Sequence, residues 1–150
     1  MTKLIKARLA GSPEEAAFLD LLRTADILTR GADWVLKDED LSLTQYNILR
    51  ILRGAPQGLA CGEIAKRMIT RDPDITRLLD RMEKRGLISR SRESRDRRLV
   101  LARITPDSIN LVNRLDEPVQ KIHRRQLRHM GQDRLQALVE LLAAARSGQE

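Results

Sequence analysis

Residues Arg71–Leu87 read RDPDITRLLDRMEKRGL, and the spacing inside this stretch decides the fold. Ile75, Leu78, Leu79 and Met82 recur at intervals of three and four, the repeat of one apolar helix face. Asp74, Arg77, Arg81 and Lys84 fall on the opposite side. Gly86 closes the helix, because glycine adopts the left-handed conformation that ends one. The leading end is acidic, which is unexpected for a helix that offers arginines to a polyanion. Asp72 reads as the N-cap ahead of Pro73, its carboxylate accepting backbone N–H groups at the positive end of the helix dipole. Asp74 stands three residues before Arg77, where it can hold that guanidinium in one rotamer. Asp80 lies between Arg77 and Lys84 and is placed to brace either. An exposed carboxylate near DNA can also accept from a cytosine amino group, but for Asp74 the aiming role is the preferred reading.

Working outward, CGEIAKRM (61–68) forms a helix of little more than two turns, with Ile64, Ala65 and Met68 inward, and a short turn leads from it to the first stretch. Two short helices joined this way, the second with a basic outer face, make a helix-turn-helix. Downstream, LISRSR and RLVLARI alternate and are β-branched, as strands are, with Val100, Ala102 and Ile104 inward and Arg103 left to solvent. ESRDRR between them is a polar, basic tip. A β-hairpin directly after a helix-turn-helix is a wing. Upstream, SLTQYNILRIL opens with Ser42 and Gln45 as a capping box and buries Tyr46, Ile48, Leu49 and Leu52. Gly54, Pro56 and Gly58 end it.

Long helices flank this unit. Ser12, Pro13 and Glu15 cap the first, whose stripe runs Phe18, Leu21, Leu22, Ala25, Leu28, Ala32 and Val35. Gly31 weakens its middle by about 1 kcal/mol relative to alanine. Thr105 and Pro106 begin another, in which Pro118 predicts a kink. After Gly131 a last helix carries Leu135, Leu138, Val139 and Leu142.

The 150 residues amount to one domain with a formal charge of +7. From Cys61 to Thr105 there are thirteen Lys/Arg against seven Asp/Glu, so this window holds six of the seven net positive charges. A basic segment between near-neutral ones is the footprint of a polyanionic partner. Phe18, Trp34 and Tyr46 are the only aromatic residues, which disfavours the base-stacking platforms of RNA and single-strand binders. A single cysteine, Cys61, excludes an internal disulfide and fits a reducing cytoplasm. At the start of a short helix it reads as a small packing residue rather than a redox sensor. Lys3, Lys6 and Arg8 interrupt any signal-peptide core, and no apolar run spans a membrane, so a cytoplasmic location is expected. The arm MTKLIKARLAG either packs on a partner subunit or touches DNA, with fraying as the default. His123 and His129 lie about 240° apart on a straight helix and do not form a ligand pair. Trp34 reads as a packing or dimer residue rather than an effector-stacking one. No GxSxG, HExxH, phosphate-cradling glycine loop or Cys/His metal spacing is present, so neither an enzyme nor a cofactor is expected.

The element order, with DITRLLDRMEKRGLI followed at the right distance by Asp96–Arg97–Arg98, resembles the MarR family of bacterial transcription regulators over roughly residues 12–147. The resemblance implies a mainly α fold with a small β-wing, organised as a single domain over 1–150. A winged helix-turn-helix lobe would occupy 42–104, and helices in 12–40 and 105–147 would form a dimerisation region. It also implies a homodimer whose recognition helices enter successive major grooves of double-stranded DNA. Asp96 would brace the wing, and Arg98 would reach a minor groove. Ser108 stands where the family usually has the glycine of a Thr-x-x-Gly pattern, so a slightly different start to the fifth helix is expected.

The expected DNA contacts are Arg77 to base edges, Arg81 and Lys84 to phosphate, and Thr76 as a lesser contact, with Arg71 and Asp74 at the helix start. Arg95, Arg97 and Arg98 form the wing tip beside Asp96. The function expected is a dimeric regulator, more often a repressor, released by a small aromatic or phenolic ligand between the dimer helices and the reading lobe. The alternative is a winged helix that docks another protein. That reading requires exposed apolar anchors on the outward face, where this sequence has Arg77, Arg81 and Lys84.

Overall fold

The computed structural model describes residues 11–93 and 95–149, with six α-helices and one small sheet among them. Helix α1 (Pro13–Leu36) runs into a 3-10 turn (Lys37–Glu39), followed by α2 (Leu43–Arg53), β1 (Leu59–Ala60) and α3 (Cys61–Arg67). Next come α4 (Ile75–Lys84), β2 (Ile88–Arg92), β3 (Val100–Ile104), α5 (Pro106–Leu127), a second 3-10 turn (Arg128–Met130) and α6 (Gln132–Ser147). The N-terminal arm lies outside the described residues, apart from Gly11.

The sheet is antiparallel in the order β1-β3-β2, with Ile88 opposite Ile104 and Arg90 opposite Ala102. The short LA strand therefore joins the wing, pairing Leu59 with Ala102. Gly58, at φ 92°, makes that approach possible: a Cβ there would press on the Ala102 carbonyl and the Leu101 and Arg103 side chains. Ala102 is buried and Ile104 half-buried, whereas Val100 lies out toward the wing tip and is exposed. Arg103 is half-buried and donates to the Ser91 hydroxyl at 2.7 Å.

One core holds the lobe together. Tyr46, Ile48, Leu49 and Leu52 of α2 meet Ile64 of α3, Leu78, Leu79 and Met82 of α4, and Val112, Leu115 and Val119 of α5. Ala65, expected inward, is exposed, and Met68 only packs on the rim of this core. Helix α5 runs unbroken from Pro106 to Leu127, with Pro118 inside it.

The starts of α2 and α5 follow their sequence signals, and that of α1 does so in part. Ser42 and Gln45 form the reciprocal capping box. At α1 the Ser12 hydroxyl accepts from the Glu15 N–H, but the Glu15 carboxylate reaches one residue further back, to the Gly11 N–H. Thr105 caps α5 and lies 2.9 Å from the Ser108 hydroxyl, so Ser108 is accommodated as a buried polar group with a partner. Gly31 is more than a weak point: a Cβ there would overlap the amide of Gln126, which donates to the Leu28 carbonyl and ties α1 to α5.

The terminal helices depart from expectation. Of the α1 stripe only Ala32 is buried, and Phe18, Leu21, Leu22 and Ala25 stand exposed. Helix α6 buries no residue, and its Val139 and Leu141 are exposed. Helix α1 meets α5 and enters the core at Leu36, but among the described residues Phe18, Leu21 and Leu22 of α1 and Val139 and Leu141 of α6 remain exposed, an apolar surface of the kind that marks an interaction site.

Candidate nucleic-acid interface

Helix α4 begins later than its sequence signals indicate. The Asp72 carboxylate does accept a backbone N–H, that of Asp74 at 2.8 Å, but the pair it caps, Pro73 and Asp74, forms a turn. The helix proper starts at Ile75, with Asp74 as its N-cap at φ −123° and ψ 46° and its carbonyl accepting from Leu78. The reason is local: the short aspartate side chain closes on the N–H two residues ahead, stabilising an Asx turn in place of a first helical turn. At the other end Gly86, at φ 73°, closes a Schellman motif: Leu87 N–H donates to the Met82 carbonyl and Gly86 N–H to that of Glu83.

The apolar stripe Leu78, Leu79 and Met82 is buried, which turns Thr76, Arg77, Arg81 and Lys84 out into solvent. Arg71 is exposed on the segment leading into the helix. Asp74 Oδ2 lies 3.5 Å from Arg77 Nε, a contact open to water and so weak in itself. Asp80 does not brace Arg77 or Lys84. It pairs with Arg90 of β2 at 2.5 Å, and the same guanidinium reaches Glu83 at 3.0 Å. Arg90 hydrogen-bonds the Glu83 carboxyl and holds it below the usual carboxylate range.

At the wing tip Asp96 acts on the backbone. Its carboxylate accepts from the Arg98 N–H at 3.0 Å and its carbonyl from Leu99, while Arg92 donates to the Arg97 carbonyl at 2.7 Å. These bonds hold a tight turn that leaves Arg95, Arg97 and Arg98 exposed. The α4 cations and the wing cations are thus carried by two elements joined through Arg90.

Two features escaped sequence reasoning. One is Arg90 itself, whose only signal was its alternation with buried Ile88, which gave a charged residue a core-facing register. The other is a cleft of about 770 Å³ between the end of α1 and α4, lined among others by Trp34, Lys37, Ser42, Arg81 and Arg85. Trp34 is 73% exposed, with the Lys37 ammonium 5.1 Å from its ring centroid, so it does not pack inside this chain. No spacing motif marks such a cleft, because its walls come from segments far apart in sequence. Cys61 is free and half-buried. Among the described residues no cluster of three His, Cys, Asp or Glu side chains is placed to hold a metal, and no helix is long and apolar enough to cross a membrane.

A buried-backed helix with a basic outer face, a short helix before it and a three-stranded wing after it define a winged helix-turn-helix lobe. The MarR family model matches residues 41–100, the lobe itself. A MarR transcription factor from Planctomyces limnophilus is 39% identical, covering 89% of this chain and 97% of its own, with a TM-score of 0.68. The chain belongs to the MarR family of transcription regulators, which bind DNA. The transcriptional repressor CouR, solved on a 23-mer DNA duplex, is 26% identical over 85% of this chain and 89% of its own, with a TM-score of 0.75. BpsR of Bordetella bronchiseptica, whose DNA binding is regulated by 6-hydroxynicotinic acid, shares the fold at 22% identity and a TM-score of 0.76, over 84% of this chain and 89% of its own.

Proposed function

We propose that the chain acts as a homodimeric repressor that reads a pseudo-palindromic operator and is released by a small aromatic or phenolic ligand. The observation that carries this reading is the pairing of an exposed, polar outer face on α4 with terminal helices that leave Phe18, Leu21, Leu22, Val139 and Leu141 exposed among the described residues. A second copy would cover α1 and α6 and set two recognition helices about one DNA turn apart, roughly 10 bp. Arg77 contacts base edges, guanine being its best partner. Arg81 and Lys84 contact phosphate, Thr76 contributes a lesser contact, and Arg71 and Asp74 frame the start of the helix. Arg95, Arg97 and Arg98 offer cations to a narrow minor groove, with Asp96 shaping the turn that presents them.

The cleft beside Trp34 suits the ligand. An aromatic ring has Trp34 to stack on, and a phenolate or carboxylate has Lys37, Arg81 and Arg85. A ligand held between α1 and α4 need only favour a lobe spacing that misfits successive grooves. For BpsR the regulator named is a hydroxylated aromatic acid.

Fluorescence anisotropy of the duplex upstream of the chain's own gene, against random duplex and across a salt series, tests the reading. Preference for the upstream duplex with a steep salt dependence supports it. Arg77→Ala is expected to cost about 1–3 kcal/mol and relax choice at one base pair, whereas Lys84→Ala weakens all DNA evenly. Equal losses on both duplexes for both variants would contradict that split.

A further inference from the structure

We propose that Arg90 is a positioning residue for DNA recognition: it holds Asp80 and Glu83 against the wing, and so keeps a carboxylate from neutralising the cations of the reading face. The proposal rests on Arg77 and Lys84 being DNA contacts.

Arg90 Nη2 lies 2.5 Å from Asp80 Oδ1 and 3.0 Å from Glu83 Oε1, with the arginine side chain only 25% exposed. Its backbone is fixed by pairing with buried Ala102, and it shares a strand face with buried Ile88. A guanidinium set in a strand this way has little freedom to follow a carboxylate elsewhere.

On α4, Asp80 is three residues after Arg77 and four before Lys84, within about 60° of each around the helix. An acid four residues ahead of a lysine is the favourable order for a pair on a helix surface. Released from Arg90, Asp80 has Lys84 as a ready partner and Arg77 as a second. Either pairing removes a cation from phosphate or base and leaves a negative charge beside the polyanion. The same three-residue contact ties the recognition helix to β2, so that the helix and the wing tip meet DNA as one body.

The test uses the full chain and a duplex selected from a randomised pool by the wild type, titrated by anisotropy across a salt series. Arg90→Met keeps the apolar stem and removes the fork. It is expected to weaken binding about tenfold and to lower the salt slope by about one, the signature of one lost phosphate contact. Adding Asp80→Asn is expected to restore most of both. Adding Asp20→Asn, which restores the same net charge far away on α1, is expected to restore neither. Arg90→Lys, which keeps the charge but not the fork, falls between. Wild-type binding by Arg90→Met overturns the proposal, as does equal rescue by Asp20→Asn, no rescue by Asp80→Asn, or unfolding of both single variants by circular dichroism. Wild-type binding by Arg77→Ala and Lys84→Ala would instead sink the contact reading and the proposal with it. Losses in those two without a loss in Arg90→Met sink the proposal alone.

Discussion

The winged lobe and the terminal helices solve the same problem differently. In the lobe, residues separated by up to seventy positions, such as Tyr46 and Asp116, meet inside one chain, and Ile48, Leu49, Leu52 and Met82 are wholly buried. In α1 and α6 the apolar residues recur with the same helical spacing, yet outside the Ala32–Leu36 end of α1 many stay exposed: Phe18 is 60% exposed and Leu141 69%. Periodicity tells which residues share a face, and it does not tell whether the surface that covers that face belongs to the same molecule. The lobe covers its own apolar face, whereas α1 and α6 leave much of theirs exposed among the described residues.

Substitutions separate the two regions most sharply by stability. Leu49→Ala empties a core position and is expected to cost about 2–5 kcal/mol, read as a lower urea midpoint at unchanged m-value. A second substitution set addresses the other region. If the proposed dimer forms through these faces, Leu22→Glu with Leu141→Glu is expected to leave the lobe folded but abolish self-association in light scattering, and to lower operator affinity by about a hundredfold or more as the second lobe is lost. A dimer that survives both charges would break the comparison, since those faces would then need some other cover.

A smaller effect belongs to the clamp that seats α5 on α2 within the lobe. Asp116 of α5 accepts from the Tyr46 hydroxyl and from Arg53 of α2, both at 2.6 Å. Burial alone would raise the Asp116 carboxyl, but the bonds from Arg53 and Tyr46 outweigh it and hold it below its ordinary value of 3.8. Asp116→Ala leaves a phenol and a guanidinium short of a partner, and is expected to cost about 1–2 kcal/mol once the carboxylate's partial exposure is allowed for. A carboxyl lowered in the folded chain contributes stability above its unfolded value and loses it as pH falls through the folded one. Chemical denaturation from neutral pH downward is therefore expected to show a loss below about pH 4 that is smaller in Asp116→Asn.

The smallest effect lies at the alkaline end. Burial, with the Asp116 bond and charge, pushes the Tyr46 hydroxyl up to about 12 from 10.0. A raised phenol contributes stability that is full below pH 10 and fades as pH rises toward 12. Tyr46→Phe should remove that alkaline limb, and an unchanged limb would mean that the clamp does not govern it.

Much of the lobe was legible because its signals are local. Ser42 with Gln45, Gly86 after Lys84, and the stripe Leu78, Leu79 and Met82 each act within a turn or two of helix, so their spacing alone carries the physics. The same locality placed Thr76, Arg77, Arg81 and Lys84 on the outer face and Arg95, Arg97 and Arg98 at the wing tip. Even here Asp72 shows the limit, since an aspartate that can cap a helix can also close an Asx turn, and only the folded backbone selects between them. By itself the sequence determined the helix order, the basic outer face of α4, the basic window from Cys61 to Thr105 and the resemblance that these carry. Tertiary structure decided that Asp80 turns to Arg90 rather than along its own helix, that Gly31 admits Gln126, that β1 joins the wing, and that Trp34 faces a cleft beside Arg81. Each of those depends on segments brought together through space, and a one-dimensional pattern has no term for a distance between residues it does not place side by side.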